Sequence, residues 1–156
     1  MKGKIMLVSF ISSFLSHCAL GTPFQKSDQW TKLDIQPNTN VLVAFTEVKT
    51  GGSFWDRRIF WSRVSDVRNS LHTNTGYLGG SIRREFFGDY AWTVTVWKDE
   101  DSLEKFIFDR EHTRAMKEGD AAVAKGKFLR MWKPAREVPI DWDIAIPLIR
   151  EEGRDL

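Results

Sequence analysis

His112 is one of three histidines in the chain, and its neighbours make it the first candidate for chemistry. It shares a helical spacing with apolar and small residues, at positions i, i+4, i+7, i+11 and i+14: Phe108, His112, Ala115, Gly119 and Ala122. An imidazole on such a stripe can act as a general base or a metal ligand, because its ordinary pKa lies near neutral pH. The pattern also fits a core histidine satisfied by a backbone carbonyl, so both interpretations stay open.

Several other kinds of active site find no support in the sequence. Cys18 is the only cysteine and lies near the N-terminus, so the rest of the chain has no thiolate nucleophile or disulfide. The three histidines are scattered without the spacing of a metal site. Gly51-Gly52 lacks the Lys-Ser/Thr end of a phosphate-binding loop, and no serine lies in a nucleophile elbow. These observations exclude the hydrolase and nucleotide-binding classes.

The charge balance argues against nucleic acid as a partner. The chain has 23 Lys and Arg residues against 21 Asp and Glu, and the two surplus charges are Lys2 and Lys4. The remainder is therefore neutral and has no basic block that could serve as a footprint for nucleic acid. A hydrophobic content of 42% and a charged content of 28% are typical of a soluble globular domain.

The N-terminus has the order of a secretory signal peptide. A short basic segment, Met1–Lys4, precedes an apolar segment, Ile5–Leu15, and small residues follow. We therefore predict a signal peptide over residues 1–21 and an extracytoplasmic location, secreted or periplasmic. Lipoprotein anchoring at Cys18 and a cytoplasmic protein are the two alternatives.

Residues 22–39 are predicted to be a linker, and residues 40–150 a single domain with alternating strands and amphipathic helices. The predicted elements follow one another as strand 40–49, a helix from Ser53 to about Ser70, strand 77–87 with a bulge at Gly79-Gly80, strand 90–98, a helix after Asp99, and strand 127–132. This strand–helix–strand–strand–helix–strand order predicts a ferredoxin-like α+β sandwich.

The two predicted helices have recognisable starts and faces. Ser53 and Asp56 resemble a capping box, and Asp99 is a suitable N-cap. One face of the first helix is apolar: Phe60, Val64, Val67 and Leu71. The second helix carries two apolar stripes on opposite sides, so it must kink near residues 108–110 or bury both sides.

The sheet face opposite the helices is too apolar for water. An isologous pair of sheets would cover it, so we predict a homodimer. The apolar tail, Val138–Ile149, is interrupted by Pro139 and Pro147 and is predicted to pack on the domain or on a partner subunit.

Residues 93–112, TVTVWKDEDSLEKFIFDREH, resemble the third-strand and second-helix signature of the dimeric α+β barrel superfamily. The matching pattern continues with the pairs Phe128-Leu129, Met131-Trp132 and Val138-Pro139. This superfamily includes antibiotic-biosynthesis monooxygenases and heme-degrading monooxygenases, and the chain is most similar to an uncharacterised bacterial branch. The resemblance covers residues 41–148 and implies a ferredoxin-like sandwich that forms a dimeric α+β barrel.

Heme-degrading members use a first-strand Asn, a second-helix Trp and a second-helix His as axial ligand. In this chain the first strand offers Thr46 and Glu47 in place of Asn. Phe106 takes the Trp position, and Met116 stands where the axial His is expected. The resemblance therefore implies either no cofactor or a heme whose ligand is His112, with no other metal.

Cofactor-free monooxygenase members hold a phenolic substrate with Asn, Trp, Tyr and His side chains while it meets oxygen. The resemblance thus implies His112, Asn74 and Tyr77 as catalytic residues, although Asn74 also suits a turn. The resemblance also implies Trp97 as a substrate-binding residue, and further candidates come from the sequence itself: Phe106, Phe108, Trp92 and Arg84. Arg83 or Arg84 could hold a substrate carboxylate, although arginines on a strand usually form cross-strand pairs, and the aromatic residues also suit a core.

Two hypotheses follow for function. The first is a small monooxygenase-like protein that acts on an aromatic or apolar small molecule in a pocket between sheet and helices. It expects His112 in a reachable cavity beside Tyr77 or Asn74. The second is a non-catalytic dimeric module that binds an apolar ligand, heme included. It expects a pocket in which no polar group is positioned for proton transfer.

Overall fold

A computed structural model describes residues 19–156. Most of the predicted signal peptide (residues 1–21), with Cys18, lies outside the described residues. Its last three residues, Ala19–Gly21, form a short strand at the edge of the sheet. Among the helices of the described part, none is both long and apolar enough to cross a membrane.

The described chain forms one antiparallel sheet around a central strand. Its seven strands are β1 (Ala19–Gly21), β2 (Gln25–Lys26), β3 (Asn40–Thr50), β4 (Tyr77–Glu85), β5 (Tyr90–Trp97), β6 (Val123–Pro134) and β7 (Arg154–Asp155). β3 pairs with β5 on one side and with β6 on the other, and β4 lies outside β5. The order β4-β5-β3-β6 is that of the ferredoxin-like fold, as predicted.

The two predicted helices begin where the sequence places their starts, and the structure contains further helices that were not predicted. The described residues contain α1 (Asp28–Lys32), α2 (Phe54–Leu71), α3 (Glu100–Ile107), α4 (Arg110–Gly119) and α5 (Trp142–Glu152). Ser53 and Asp56 form the predicted capping box at the start of α2, each side chain accepting a hydrogen bond from the other residue's backbone N–H. Asp99 caps α3 by accepting from the backbone N–H of Ser102 at 2.8 Å. Both capping predictions are confirmed.

The kink predicted between the two apolar stripes is a complete break. α3 ends at Ile107, and α4 starts after a separate N-cap, Asp109, whose side chain accepts from the backbone N–H of Glu111 at 2.9 Å. Leu103 of α3 is buried in the core, whereas α4 packs mainly along α2 and buries only Gly119. The break therefore lets α3 and α4 present their apolar sides in different directions.

Alternation along β3 divides the core between two sheet faces. The inner face points toward α2, α3 and α4, and its buried cluster is Leu42, Ala44, Leu71, Tyr77, Trp97 and Leu103. The outer face lies on the other side, and the strand residues of its buried cluster are Val41, Val43, Phe45, Leu78, Val94 and Val96. Both faces of the central strands are thus covered by other elements of the chain.

A bulge in β4 decides which residues reach the inner face. The register with β5 shifts between Tyr77 and Gly79, so Leu78 is an extra residue. Tyr77 and Gly80 consequently both point to the inner face, and a Cβ on Gly80 would lie 2.8 Å from the Tyr77 hydroxyl. Gly79 has a φ of 155°, which glycine adopts readily and other residues rarely do. The predicted bulge is present and starts two residues early.

Segments of the same chain cover the outer face. The predicted linker, residues 22–39, contains β2 and α1 and packs Phe24, Trp30 and Ile35 against this face. The predicted apolar tail forms α5, whose Ala145 and Ile149 are buried on it. The homodimer prediction assumes that a single chain cannot cover this face. Because segments of the same chain do cover it, that argument fails, and the homodimer stays a prediction.

Glu47 fastens α5 to the sheet. Its carboxylate is buried and accepts hydrogen bonds from Arg150 Nε of α5 at 2.8 Å and from Trp92 Nε1 at 2.6 Å. The Trp92 ring stacks on Tyr90 with a centroid distance of 5.8 Å. Trp92 thus belongs to the contact between the sheet and α5.

Candidate functional site

A cavity of about 570 Å³ lies between the inner sheet face and α2, α3 and α4. Its floor consists of short residues on the strands: Ala44, Thr46, Gly80, Ala91, Thr93 and Thr95. Its wall on α2 is the apolar stripe identified in the sequence: Phe60, Val64, Val67 and Leu71. Because the floor residues are short, space remains between the sheet and the helices above it. The size of this space and its apolar walls suit a small apolar molecule.

His112 lines this cavity from the first turn of α4. Its Nδ1 lies 3.0 Å from the carbonyl oxygen of Ile107, and a carbonyl can only accept, so Nδ1 carries the proton. Nε2 is then the ring nitrogen that remains available. Burial lowers the pKa of His112, although the Ile107 carbonyl opposes this shift. The neutral imidazole therefore persists at neutral pH and can accept a proton at Nε2.

Acid is expected to destabilise the protein through His112. The unfolded imidazole titrates at the ordinary pKa of 6.5, whereas the folded pKa is lower. As the pH falls from 6.5 toward the folded pKa, the unfolded state binds more protons than the folded state. The contribution of the neutral His112 to the unfolding free energy, which is complete above pH 6.5, is therefore progressively lost. Urea unfolding at about pH 7.5 and about pH 5.5 checks this, with His112→Gln as the comparison. Equal losses of stability in wild type and variant would contradict it.

Tyr77 also lines the cavity, from the start of β4. Burial raises the pKa of its hydroxyl to about 12, against a smaller opposing effect of the Arg68 charge. The hydroxyl therefore stays protonated at neutral pH and can donate a hydrogen bond to a ligand oxygen. Tyr77 and Thr95 supply the polar groups nearest the bulge, but Thr95 Oγ1 already accepts from Trp97 Nε1 at 2.9 Å.

A row of aromatic rings separates the two candidate catalytic groups. Tyr77 lies 5.4 Å from Trp97, Trp97 lies 5.0 Å from Phe106, and Phe106 lies 4.7 Å from His112, measured between ring centroids. Tyr77 and His112 thus contact the same cavity at opposite ends of this row. A ligand that meets both must span the space beneath Phe106.

Asn74, predicted to be catalytic, lies outside the lining of the cavity. Its Nδ2 donates to the Ser102 carbonyl at 3.1 Å, and its Oδ1 accepts from the Gly76 backbone N–H at 2.9 Å. A Cβ on Gly76 would collide with the Ser102 hydroxyl, so this loop and α3 touch closely. Asn74 therefore holds the loop before β4 against α3, which is the turn role that the sequence also allowed.

The predicted substrate-binding residues are distributed over four places. Phe106 and Phe108 line the cavity, and Phe108 is 80% exposed at its rim. Trp97 is fully buried behind Phe106 and supports the wall. Trp92 lies on the outer face against Glu47, and Arg84 lies in an adjoining groove over Trp61. The prediction for Trp92 as a cavity residue is wrong, because Trp92 alternates with the residues that face inward.

Trp61 and Met116 line the cavity and were not assigned to it from the sequence. Trp61 lies one residue after the start of the recognised stripe on α2. It begins a second stripe with Val64 and Arg68, at i, i+3 and i+7, which is the signal that could have revealed it. Met116 follows His112 by one turn of α4.

The described residues contain no group of three or more His, Cys, Asp or Glu side chains that could hold a metal ion. A heme needs only one protein ligand, and His112 fits that requirement: a ligating imidazole commonly donates its other N–H to a backbone carbonyl. A general base and an axial ligand would therefore use the same atom, Nε2.

No family model matches the chain, and no curated protein matches its sequence. Solved structures match it in fold. A candidate monooxygenase from Lactobacillus acidophilus aligns with 64% of this chain and 49% of its own, at 11% identity and a TM-score of 0.52. A candidate monooxygenase from Fusobacterium nucleatum aligns with 64% of this chain and 48% of its own, at 13% identity and a TM-score of 0.54.

A conserved protein from Methanosarcina mazei aligns with 61% of this chain and 94% of its own, at 11% identity and a TM-score of 0.54. The chain thus spans about half the length of the two candidate monooxygenases. At these identities the likeness establishes the fold, and it confirms the predicted ferredoxin-like α+β class.

Proposed function

We propose that the protein is a small monooxygenase-like enzyme that oxidises an aromatic or otherwise apolar molecule in the cavity. The observation that carries this proposal is the neutral His112 on the cavity wall, with Nδ1 committed to Ile107 and Nε2 available as a base. The assignment of monooxygenase activity to two structural neighbours agrees with it, although at this distance it describes those proteins alone.

The residues suit an oxidation in which the substrate supplies the electrons. His112 Nε2 takes a proton from an activated C–H or phenolic O–H, and the resulting anion passes electrons to O₂. For a methylene between aromatic rings, R₂CH₂ and O₂ give R₂C=O and H₂O. Tyr77 donates a hydrogen bond to the substrate oxygen, and the apolar walls keep water from the anion.

Oxygen uptake with a panel of polycyclic phenols tests the proposal. One O₂ consumed for each methylene converted to a carbonyl, without added metal or flavin, is the expected stoichiometry. The heat-denatured protein serves as the control for spontaneous oxidation. Uptake that never exceeds this control across the panel would contradict the proposal.

A non-catalytic binding module is the second candidate, and the Nδ1–H bond of His112 favours heme as one of its ligands. A hemin titration is expected to give a sharp Soret band that His112→Ala abolishes if this candidate is correct. His72→Ala, at the far end of the cavity, is the matched control and should keep the band. No specific band in wild type would eliminate heme and leave the oxygenase proposal untouched.

A further inference from the structure

A second groove adjoins the cavity between α2 and β4. This groove encloses about 330 Å³, and β1 lies along its outer edge. The groove and the cavity share five lining residues: Thr22, Trp61, Val64, Arg68 and Ile82. The two spaces therefore lie side by side, and Arg68 belongs to the lining of both.

Two arginines stand on opposite walls of the groove. Arg68 belongs to α2, and Arg84 to β4. Neither forms a salt bridge or a side-chain hydrogen bond with another of the described residues. Arg63 of the same helix differs, because Glu118 at 2.7 Å and Asp66 at 2.5 Å neutralise it. The groove thus holds two positive charges whose hydrogen-bond donors are uncommitted within the part of the chain that the structure describes.

No acidic side chain in the part of the chain that the structure describes lines the groove or the cavity to balance them. Arg68 and Arg84 are both exposed, so water solvates them in the absence of a ligand. Trp61, Val64 and Ile82 line the same groove and place apolar surface beside the two charges.

Arg84 is held in a position suited to an anion. Its guanidinium lies 5.2 Å from the centroid of the Trp61 ring. Stacking occupies the flat face of a guanidinium and leaves its N–H edges free, and those edges match a carboxylate in a bidentate arrangement. Arg68, on the opposite wall, adds a second donor. Removal of the predicted signal peptide, residues 1–21, would take away β1 at the edge of the groove but would leave both arginines in place.

We propose that the ligand of this site is an apolar carboxylic acid whose hydrophobic body occupies the cavity and whose carboxylate binds Arg68 and Arg84 in the groove. This inference rests on the proposed function in taking the cavity as the ligand site. It adds the substrate class: an aromatic or aliphatic body with one anionic group, held so that the reactive carbon faces His112.

Binding of anthracene-9-carboxylate and of its methyl ester, followed by their fluorescence, tests the proposal. The two probes share one aromatic body, and only the first is charged. We expect the full-length protein to bind the acid more tightly than the ester. Arg68→Gln and Arg84→Gln should each weaken binding of the acid by roughly threefold to tenfold and leave binding of the ester unchanged. Arg84→Lys should restore the charge but only part of the affinity.

Arg58→Gln is the matched control, because Arg58 is exposed on α2 and lies over Trp55 rather than in the groove. It should change neither affinity. Equal affinities of acid and ester in wild type, or an equal loss for both in the arginine variants, would overturn the proposal, as would binding of neither probe.

His112→Gln separates this proposal from the proposed enzyme function. The variant should keep the preference for the acid, because binding does not require proton transfer. Loss of oxygen uptake with the preference retained supports both proposals. A charge preference in a protein that never consumes oxygen supports the ligand class while contradicting the oxygenase.

Discussion

Replacing His112 with Gln is expected to lower kcat for oxygen uptake by about 10²- to 10⁴-fold, which is the usual contribution of a general base. Gln has a comparable length and can still hydrogen-bond, but it cannot take a proton at neutral pH. Because the binding walls remain, KM for the best phenol of the panel should change far less than kcat. Initial rates at saturating substrate measure the effect.

His72→Gln is the control for this prediction. His72 also lines the cavity and lies edge-on to Tyr77, with ring centroids 6.1 Å apart, at the end of the aromatic row that is farthest from His112. We expect this variant to keep most of the activity. A rate that survives His112→Gln, or that falls equally in both variants, would show that His112 is not the base.

Replacing Trp97 with Ala is expected to cost about 3–5 kcal/mol of unfolding free energy. Trp97 is fully buried and contacts Tyr77 and Phe106, so its removal leaves a void that these rings cannot fill without leaving the cavity wall. The Thr95 hydroxyl also loses its indole partner. A large loss of stability should therefore accompany an enlarged, less ordered cavity.

Urea unfolding of Trp97→Ala and Trp132→Ala provides the comparison. Trp132 is 48% exposed on β6, so its removal should cost less than about 1 kcal/mol. Similar losses in the two variants would mean that Trp97 does not organise the wall. A variant of Trp97 that fails to fold would be consistent with the prediction, and Trp97→Phe would then measure a partial effect.

Local patterns were sufficient to predict the central elements. The alternation of β3, the capping box of Ser53 and Asp56 and the N-cap of Asp99 depend on neighbours within a few residues, which a sequence displays directly. The conflict between two stripes around Phe108 likewise predicted an interruption, because a straight helix cannot bury both sides. The structure resolves the conflict with two helices in place of one kinked helix.

The candidate site was predictable only in part. The apolar stripe around His112 indicated that this histidine lies among apolar residues, and it does line the cavity. Phe106 and Phe108, which precede it in the sequence, also line the cavity. Asn74 is a candidate because its type matches a family pattern, and Trp92 because an aromatic side chain on a strand can line a pocket. Residue type alone does not fix the direction of either side chain. Tyr77 reaches the cavity through the register shift in β4, whose position depends on pairing with β5.

The cover of the outer face was the least predictable feature. Pro147 interrupts the apolar tail in the sequence and lies inside α5 in the structure, where it removes one backbone donor. Burial of Ala145 and Ile149 on the sheet outweighs that penalty. The apolar tail predicts packing on the domain or on a partner subunit, and the structure shows that it packs on the domain. Which sheet face it covers depends on long-range contacts that residues 138–149 alone do not determine.

The position of this cover has a consequence for the smallest unit that can fold. A fragment limited to residues 40–134 would keep every pairing among the four long strands. It would also expose to water the outer-face strand residues, including Val41, Val43 and Phe45. An uninterrupted apolar surface on a sheet favours aggregation. The flanking segments therefore act as an intramolecular shield, and the minimal soluble fragment must retain both of them.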